Sequence, residues 1–282
     1  MKRVLTIQDI SCLGKCSLTV ALPVISAFGV ETCVLPTAVL STHTQFQNFT
    51  FCDLTEELPK IKEHYLQEGF SFDALYTGYL GSFRQLDLVA EYFDAYRARG
   101  SLIVVDPVMA DHGVFYRGFT KEFAARMARL CAKADVILPN LTEAAFLLDV
   151  PYVGEGYDEA YIKSLLQKLV GLGCKKAVLT GVSLQKGKIG AMGLCAATGE
   201  YFSYYNRRID AAYHGTGDIF ASAFVGGRMR GYSDTQAIAV AADFTARCIE
   251  ITKNDPQAVN YGVEFEYVLP ELLQRLARED AR

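Results

Sequence analysis

The chain has 282 residues, of which 51% are hydrophobic and 21% charged, the balance of a globular protein with a sizeable core and not of a disordered or membrane-embedded one. A formal net charge of -4, with no run of lysine or arginine, gives no electrostatic footprint for nucleic acid. The eight cysteines, Cys12, Cys16, Cys33, Cys52, Cys131, Cys174, Cys195 and Cys248, fall mostly in apolar patterns, so reduced core thiols are expected and no metal is inferred from them.

The N-terminal run Val4-Leu5-Thr6-Ile7 is too short for a signal peptide and is followed by Gln8-Asp9, so residues 4–7 are expected to form the first strand. No stretch is long and apolar enough to span a bilayer, and a cytoplasmic protein without a membrane partner is expected. Short β-branched runs recur at 32–35, 74–77, 102–105, 136–138 and 176–180. Between them, apolar positions at three- and four-residue spacing predict helices at 54–67, 85–99, 121–132 and 159–172. After Thr180 the pattern changes: 189–194 and 200–205 flank Ala196-Ala197-Thr198-Gly199 as a hairpin, and helices at 218–229, 234–251 and 264–278 finish the chain. This alternation predicts an α/β fold with a mostly parallel sheet, an antiparallel edge and helices on both faces, in a single domain over 1–282.

In open α/β sheets ligands collect beyond the carboxyl ends of the strands. Gln8-Asp9, Gly78-Tyr79-Leu80-Gly81-Ser82, Asp106-Pro107-Val108-Met109 and Asn140-Leu141-Thr142-Glu143 all fall there and describe the rim of one cleft. His214-Gly215-Thr216-Gly217-Asp218 reads as a glycine turn opening an apolar helix, where converging N–H groups and the helix dipole favour an anion such as phosphate. Asp218, in the first turn, is then a candidate base for a hydroxyl in phosphoryl transfer. By itself the turn also reads as an ordinary helix start with an acidic first turn. Asp106 and Glu143 can hold magnesium, directly or through water; alternatively they are a strand-ending turn residue and a helix N-terminal charge.

Asp106-Pro107-Val108-Met109, then Pro139-Asn140 with Glu143, then Gly215-Thr216-Gly217-Asp218 resemble the successive signatures of the ribokinase superfamily over nearly the whole chain. Within it, Ser41-Thr42-His43-Thr44-Gln45-Phe46 and Thr77-Gly78-Tyr79-Leu80-Gly81-Ser82 are similar to segments of the pyridoxal kinases. The resemblance implies a three-layer ribokinase-like fold, ATP as donor, Mg2+ with an activating monovalent cation (K+ or Na+), transfer to the 5′-hydroxymethyl group of a B6 vitamer, and a homodimer. It implies Asp218 as base; Gly215, Thr216 and Gly217 as anion hole; Asp106 and Glu143 as metal residues; and Asn140, Thr180 and Asp111 on the ATP side. His43, Thr44, Tyr79 and Asp9 would line the vitamer pocket. Tyr116, with Asp111, would belong to a flexible segment at 110–118 that closes over ATP and excludes water, its glycines Gly113 and Gly118 serving as hinges.

The chain departs from that family at Asp9, where serine is usual, at Ala110 before Asp111, where glycine is usual, and in Gly14-Lys15-Cys16-Ser17, which is one residue short. A carboxylate at Asp9 either favours pyridoxamine, whose aminomethyl group is cationic, or caps the next turn or faces solvent. His43 and His214 are expected to be hydrogen-bonders and carry no proton-transfer role, and Arg207 and Arg208 either reach ATP phosphates or sit on a solvated loop. The rival readings are a hydroxymethylpyrimidine kinase of the same superfamily and a catalytically silent vitamer-binding regulator.

Overall fold

The computed structural model describes residues 1–280. In chain order they form β1 (Arg3–Leu13), α1 (Leu18–Ala27), β2 (Glu31–Thr42), β3 (Phe51–Asp53), α2 (Leu58–Gln67), β4 (Ala74–Thr77), α3 (Phe83–Arg97), β5 (Leu102–Val105), β6 (Ala110–Asp111) and β7 (Val114–Phe115). The second half adds α4 (Lys121–Cys131), β8 (Val136–Ile137), α5 (Leu141–Leu147), α6 (Glu159–Gly171), β9 (Lys176–Val182), β10 (Lys188–Cys195), β11 (Tyr201–Arg207), α7 (Thr216–Met229), α8 (Asp234–Asn254) and α9 (Leu269–Asp280).

Among the described residues nine strands form one sheet in the order β11-β10-β9-β8-β5-β4-β1-β2-β3. The central strands are parallel, and they are apolar on both faces because helices cover both. Leu5, Ile7, Leu75, Ile103 and Val105 pack against α2 to α6, while Val4, Tyr76, Val104 and Val178 pack against α1, α7, α8 and α9. Three helix starts carry their own N-caps: Ser82, Thr120 and Asp158 each accept the N–H three residues on.

The predicted hairpin is β10–β11, antiparallel beside an antiparallel β9–β10 pair. A second antiparallel edge, β3 on β2, lies at the other side of the sheet. The first two strands run far beyond 4–7 and 32–35, because their pairing continues past an irregularity between Gln8 and Ile10. The helix expected at 54–67 divides into a 3-10 turn and α2, which starts where Pro59 suits the first helical turn. That expected at 264–278 divides likewise, into a 3-10 turn at Phe265–Tyr267 and α9, with Pro270 near its start. Two helices, α1 and α5, were not among the predicted elements. Among the described residues no helix is long and apolar enough to cross a membrane.

Candidate active site

The N-terminus of α7 is built by contact between two turns. Gly215 is left-handed, with φ 78, and a Cβ there would lie 1.9 Å from the Lys15 carbonyl oxygen, so only glycine permits the approach. Thr19 fixes the facing turn by donating its hydroxyl to the carbonyls of Gly14 (3.0 Å) and Cys16 (2.8 Å). Lys15 turns its ammonium away, to Glu266 at 2.7 Å. The first bond into α7 runs from the Ile219 N–H to the Gly215 carbonyl, which leaves the N–H groups of Thr216, Gly217 and Asp218 without an intrahelical acceptor. The Thr216 hydroxyl is spent on the Tyr213 carbonyl, 3.2 Å away, so Thr216 presents its backbone to an anion and not its side chain.

A cavity of about 270 Å³ opens beside this helix end and brings together Asp9, His43, Thr44, Tyr79, Tyr116, Gly215 and Asp218 of the predicted residues. Burial pushes the Asp218 carboxyl up to about 7, against a hydrogen bond from the Ser17 backbone, and the nearby Asp9 charge pushes the same way. Asp9 itself is 4% exposed and sits at the β1 irregularity, which aims it into the cavity. The Ser11 hydroxyl donates to it at 3.0 Å. His43 is held as a neutral ring: Nε2 faces the Tyr261 carbonyl at 3.1 Å, and Nδ1 accepts the Gln45 N–H at 3.3 Å. Burial and the neighbouring His214 lower its pKa, which suits a ring fixed as a hydrogen-bonder. Tyr79 packs edge-on against Phe119, with ring centres 5.4 Å apart.

Of the other predicted residues, Thr216 and Gly217 lie outside that lining in the first turn of α7, and the rest lie around the start of α5. Asn140 and Glu143 form a capping box: the Asn140 side chain accepts the Glu143 N–H, and Glu143 Oε2 accepts the Asn140 N–H, both at 2.9 Å. Glu143 Oε1 accepts the Met109 N–H at 3.2 Å. Despite these donors, burial pushes its carboxyl up to about 8. Asp106 is 5% exposed, and burial, Glu143 and Asp218 in turn hold its carboxyl well above the usual range. Among the described residues no hydrogen-bond donor reaches the Asp106 side chain. Thr180 bridges to Asn140 at the end of β9, its N–H on the Pro139 carbonyl at 3.0 Å.

The expected closing segment is a small hairpin, β6 paired to β7. It is tethered to α5: the Asn140 amide donates to the Ala110 carbonyl (2.9 Å), the Gly113 N–H to the Thr142 hydroxyl (3.0 Å), and Phe115 stacks on Phe146 at 4.0 Å. Asp111 is exposed there and accepts the His112 N–H. Arg207 pairs with Glu250 at 3.2 Å, and the Arg208 N–H bonds the Gly187 carbonyl. Sequence reasoning missed Ser11, Ser17 and Arg117 in the cavity wall. Ser17 owes its place to a φ of 50, which no residue pattern announces, whereas Arg117 was a readable signal, a lone cation beside the hairpin.

The family model for phosphomethylpyrimidine kinase matches residues 20–264. A Bacteroides thetaiotaomicron protein assigned as a phosphomethylpyrimidine kinase, solved in a crystal form with pyridoxal, is 38% identical, with a TM-score of 0.90 over 96% of this chain and 95% of its own. The pyridoxal kinase of Lactobacillus plantarum is 32% identical with a TM-score of 0.86, over 99% and 98% of the two chains. Pyridoxal kinase PdxY of Histophilus somni is 26% identical over 90% of each chain. The chain thus belongs to the phosphomethylpyrimidine kinase family of phosphotransferases and, within the ribokinase superfamily, to its pyridoxal kinases.

Proposed function

We propose that the chain is an ATP-dependent kinase for the 5′-hydroxymethyl group of a B6 vitamer, serving B6 salvage. The observation that carries this reading is Asp218, a carboxylate at the N-terminus of α7, on the wall of a cavity of about 270 Å³ and pushed up to about 7 by burial. A base of that pKa is half ionised near neutrality, where proton transfer from an alcohol is best matched. The acceptor hydroxymethyl group reaches Asp218 from within the cavity and gives up its proton to the carboxylate as its oxygen attacks the γ-phosphorus of ATP, the bond from that phosphorus to the β,γ-bridging oxygen breaks, and ADP leaves with the electron pair. The free N–H groups of Thr216 and Gly217, with the helix dipole, stabilise the charge on the transferring group. Tyr79, Thr44 and the neutral His43 orient the ring, and the β6–β7 hairpin over Tyr116 limits entry of water, which competes as acceptor.

Magnesium fits the second cluster. A buried Asp106 carboxylate without a donor among the described residues, beside a Glu143 carboxylate fixed by backbone N–H groups, is the donor set of an ion held by few carboxylates, water and phosphate oxygens. When bound there it would neutralise charge on the nucleotide phosphates. Asn140 and Thr180 flank that cluster on the nucleotide side. A hydroxymethylpyrimidine as acceptor, the rival reading of the sequence, is the second reading. ATP consumption measured with pyridoxal, pyridoxamine, pyridoxine and hydroxymethylpyrimidine separates them: turnover of at least one vitamer well above hydroxymethylpyrimidine is expected, and turnover of hydroxymethylpyrimidine alone overturns the proposal.

A further inference from the structure

Asp9 is a buried carboxylate that faces a cavity and forms no ion pair among the described residues. It is 4% exposed, and among the described residues no lysine, arginine or histidine forms an ion pair with it. Its hydrogen-bond support comes from neutral hydroxyls, Ser11 at 3.0 Å and Ser17. Burial raises its pKa above the ordinary carboxylate value despite those hydroxyls, and its charge in turn helps to raise Asp218, the second carboxylate of the cavity. A carboxylate in such a place is costly to the folded protein unless something cationic completes it. The sheet does not discard it, however. The β1 pairing slips between Gln8 and Ile10, and the side chain at the slip is the one aimed into the cavity, next to the Tyr79 ring.

We infer that Asp9 completes its charge with the substrate, binding a nitrogen cation of the vitamer and selecting the protonated form by charge. The inference rests on the vitamer-kinase reading and specifies it. Two nitrogen sources share this chemistry, an aminomethyl ammonium group, present in pyridoxamine alone, and a protonated ring nitrogen, available to all three vitamers. The Asp9 carboxylate supplies a charge-assisted hydrogen bond to either, and the adjacent Tyr79 ring gives the cation an aromatic neighbour. Binding through Asp9 also relieves its interaction with Asp218, so occupancy by a cation leaves the catalytic carboxylate freer to ionise than occupancy by a neutral ring would.

The titratable and charged groups on the same cavity wall are Asp218 from α7, Cys16 from the turn before α1, His43 after β2, Tyr79 after β4, Tyr116 and Arg117 after β7, and His214 before α7, with the hydroxyls of Ser11 and Ser17. Neither Arg117 nor either histidine forms an ion pair with Asp9 among the described residues. A merely structural Asp9 would act through Ser11 and Ser17, fixing the turn that faces Gly215. The two roles predict opposite stability changes. Asn keeps the oxygen that accepts from Ser11 while removing the uncompensated charge, so under the proposal Asp9→Asn melts at or above the wild-type temperature without ligand, whereas loss of a turn anchor lowers it.

The test measures kcat and KM for pyridoxamine, pyridoxal and pyridoxine in wild type, Asp9→Asn and Asp9→Ser, alongside thermal melting of the unliganded proteins. The expected result is a KM raised about 10- to 100-fold with kcat changed far less, the span of one charge-assisted hydrogen bond. A loss confined to pyridoxamine identifies the ammonium source; an equal loss for all three vitamers identifies the ring nitrogen. Unchanged KM values in both variants, with wild type active on the vitamers, overturn the inference and leave the kinase reading standing. A wild type inactive on every vitamer overturns both. Should either variant prove too unstable to assay, a melting temperature below wild type in both overturns the charge argument directly.

Discussion

Asp9 and Asp218, on the wall of the cavity, stand on a strand irregularity and a helix start and are held by hydroxyls and few backbone N–H groups; Asp106 and Glu143, around the start of α5, differ both from them and from each other. Glu143 is locked by a backbone N–H on each oxygen, while Asp106 has no donor among the described residues. A carboxylate that must change protonation state is better served by sparse donors, because each N–H bond stabilises the anion and pulls the pKa down. One that must hold a cation's water shell is better served by fixed geometry, since a ligand that wanders binds loosely. The comparison favours the proposed proton transfer by Asp218 at the α7 end and, at the α5 end, a fixed role for Glu143, while Asp106, without a donor, has its lone pairs open to a cation.

The largest expected effect breaks the α7 end mechanically. Gly215→Ala requires a left-handed alanine, at roughly 1–2 kcal/mol, and a Cβ 1.9 Å from a backbone oxygen, which adds about 1–3 kcal/mol or more as the turns separate. Activity should fall below detection with a lowered melting temperature, while Gly231→Ala, a left-handed glycine with open space around it, should melt lower but retain activity. Equal activity in Gly215→Ala and wild type would show that the contact with Lys15 is not needed.

The α5 end should respond to metal. Glu143→Gln places an amide NH₂ where one of two backbone donors points, disturbing the carboxylate geometry, and should raise the magnesium concentration for half-maximal turnover about 10-fold before abolishing turnover. Asp106→Asn should do the same. Magnesium titrations of both variants that superimpose on wild type would return the pair to a structural role.

The smallest effect is on stability against pH. Glu143 and Asp218 have folded-state values of about 8 and about 7, above ordinary values of 4.5 and 3.8. For carboxyls raised on folding, the protonated form is the one the fold prefers, so their contribution is present at low pH and is lost as pH rises through about 7 and 8. The unliganded protein should melt a few degrees lower at pH 8.5 than at pH 6, given about 2–4 °C per kcal/mol at this chain length. Asp218→Asn should flatten the lower part of that decline and Glu143→Gln the upper part. A melting temperature that rises over this range in wild type would contradict the buried-acid account.

Much of the fold was legible because parallel strands buried on both faces leave dense β-branched runs, and because Ser82, Thr120 and Asp158 mark helix starts by residue type. Helix α1 left no such mark: its sequence is apolar all round, contains Pro23 and follows Ser17, whose side chain makes no cap. Helix α5 did leave one, the Asn140-x-x-Glu143 capping box, hidden because Glu143 also reads as a metal residue. The motifs located Asp106 just past a strand, Asp9 past the apolar start of β1 and Asp218 in the first turn of a helix. They could not reveal that Gly14 to Ser17 folds back on Gly215, since that depends on left-handed backbone at Ser17 and on a contact 200 residues apart in the chain. Nor could they distinguish a loose closing segment from the tethered hairpin, which hangs on the Thr142 and Asn140 side chains.

The central claim is that Asp218 takes the proton from the vitamer's hydroxymethyl group. Its most direct test is phosphoryl transfer to the preferred vitamer by Asp218→Asn, with ATP binding measured on the same sample. The account predicts kcat lowered by about 10² to 10⁴ with ATP affinity nearly unchanged, because the substitution keeps the shape of the helix start and removes only the base. Turnover near the wild-type rate would contradict it.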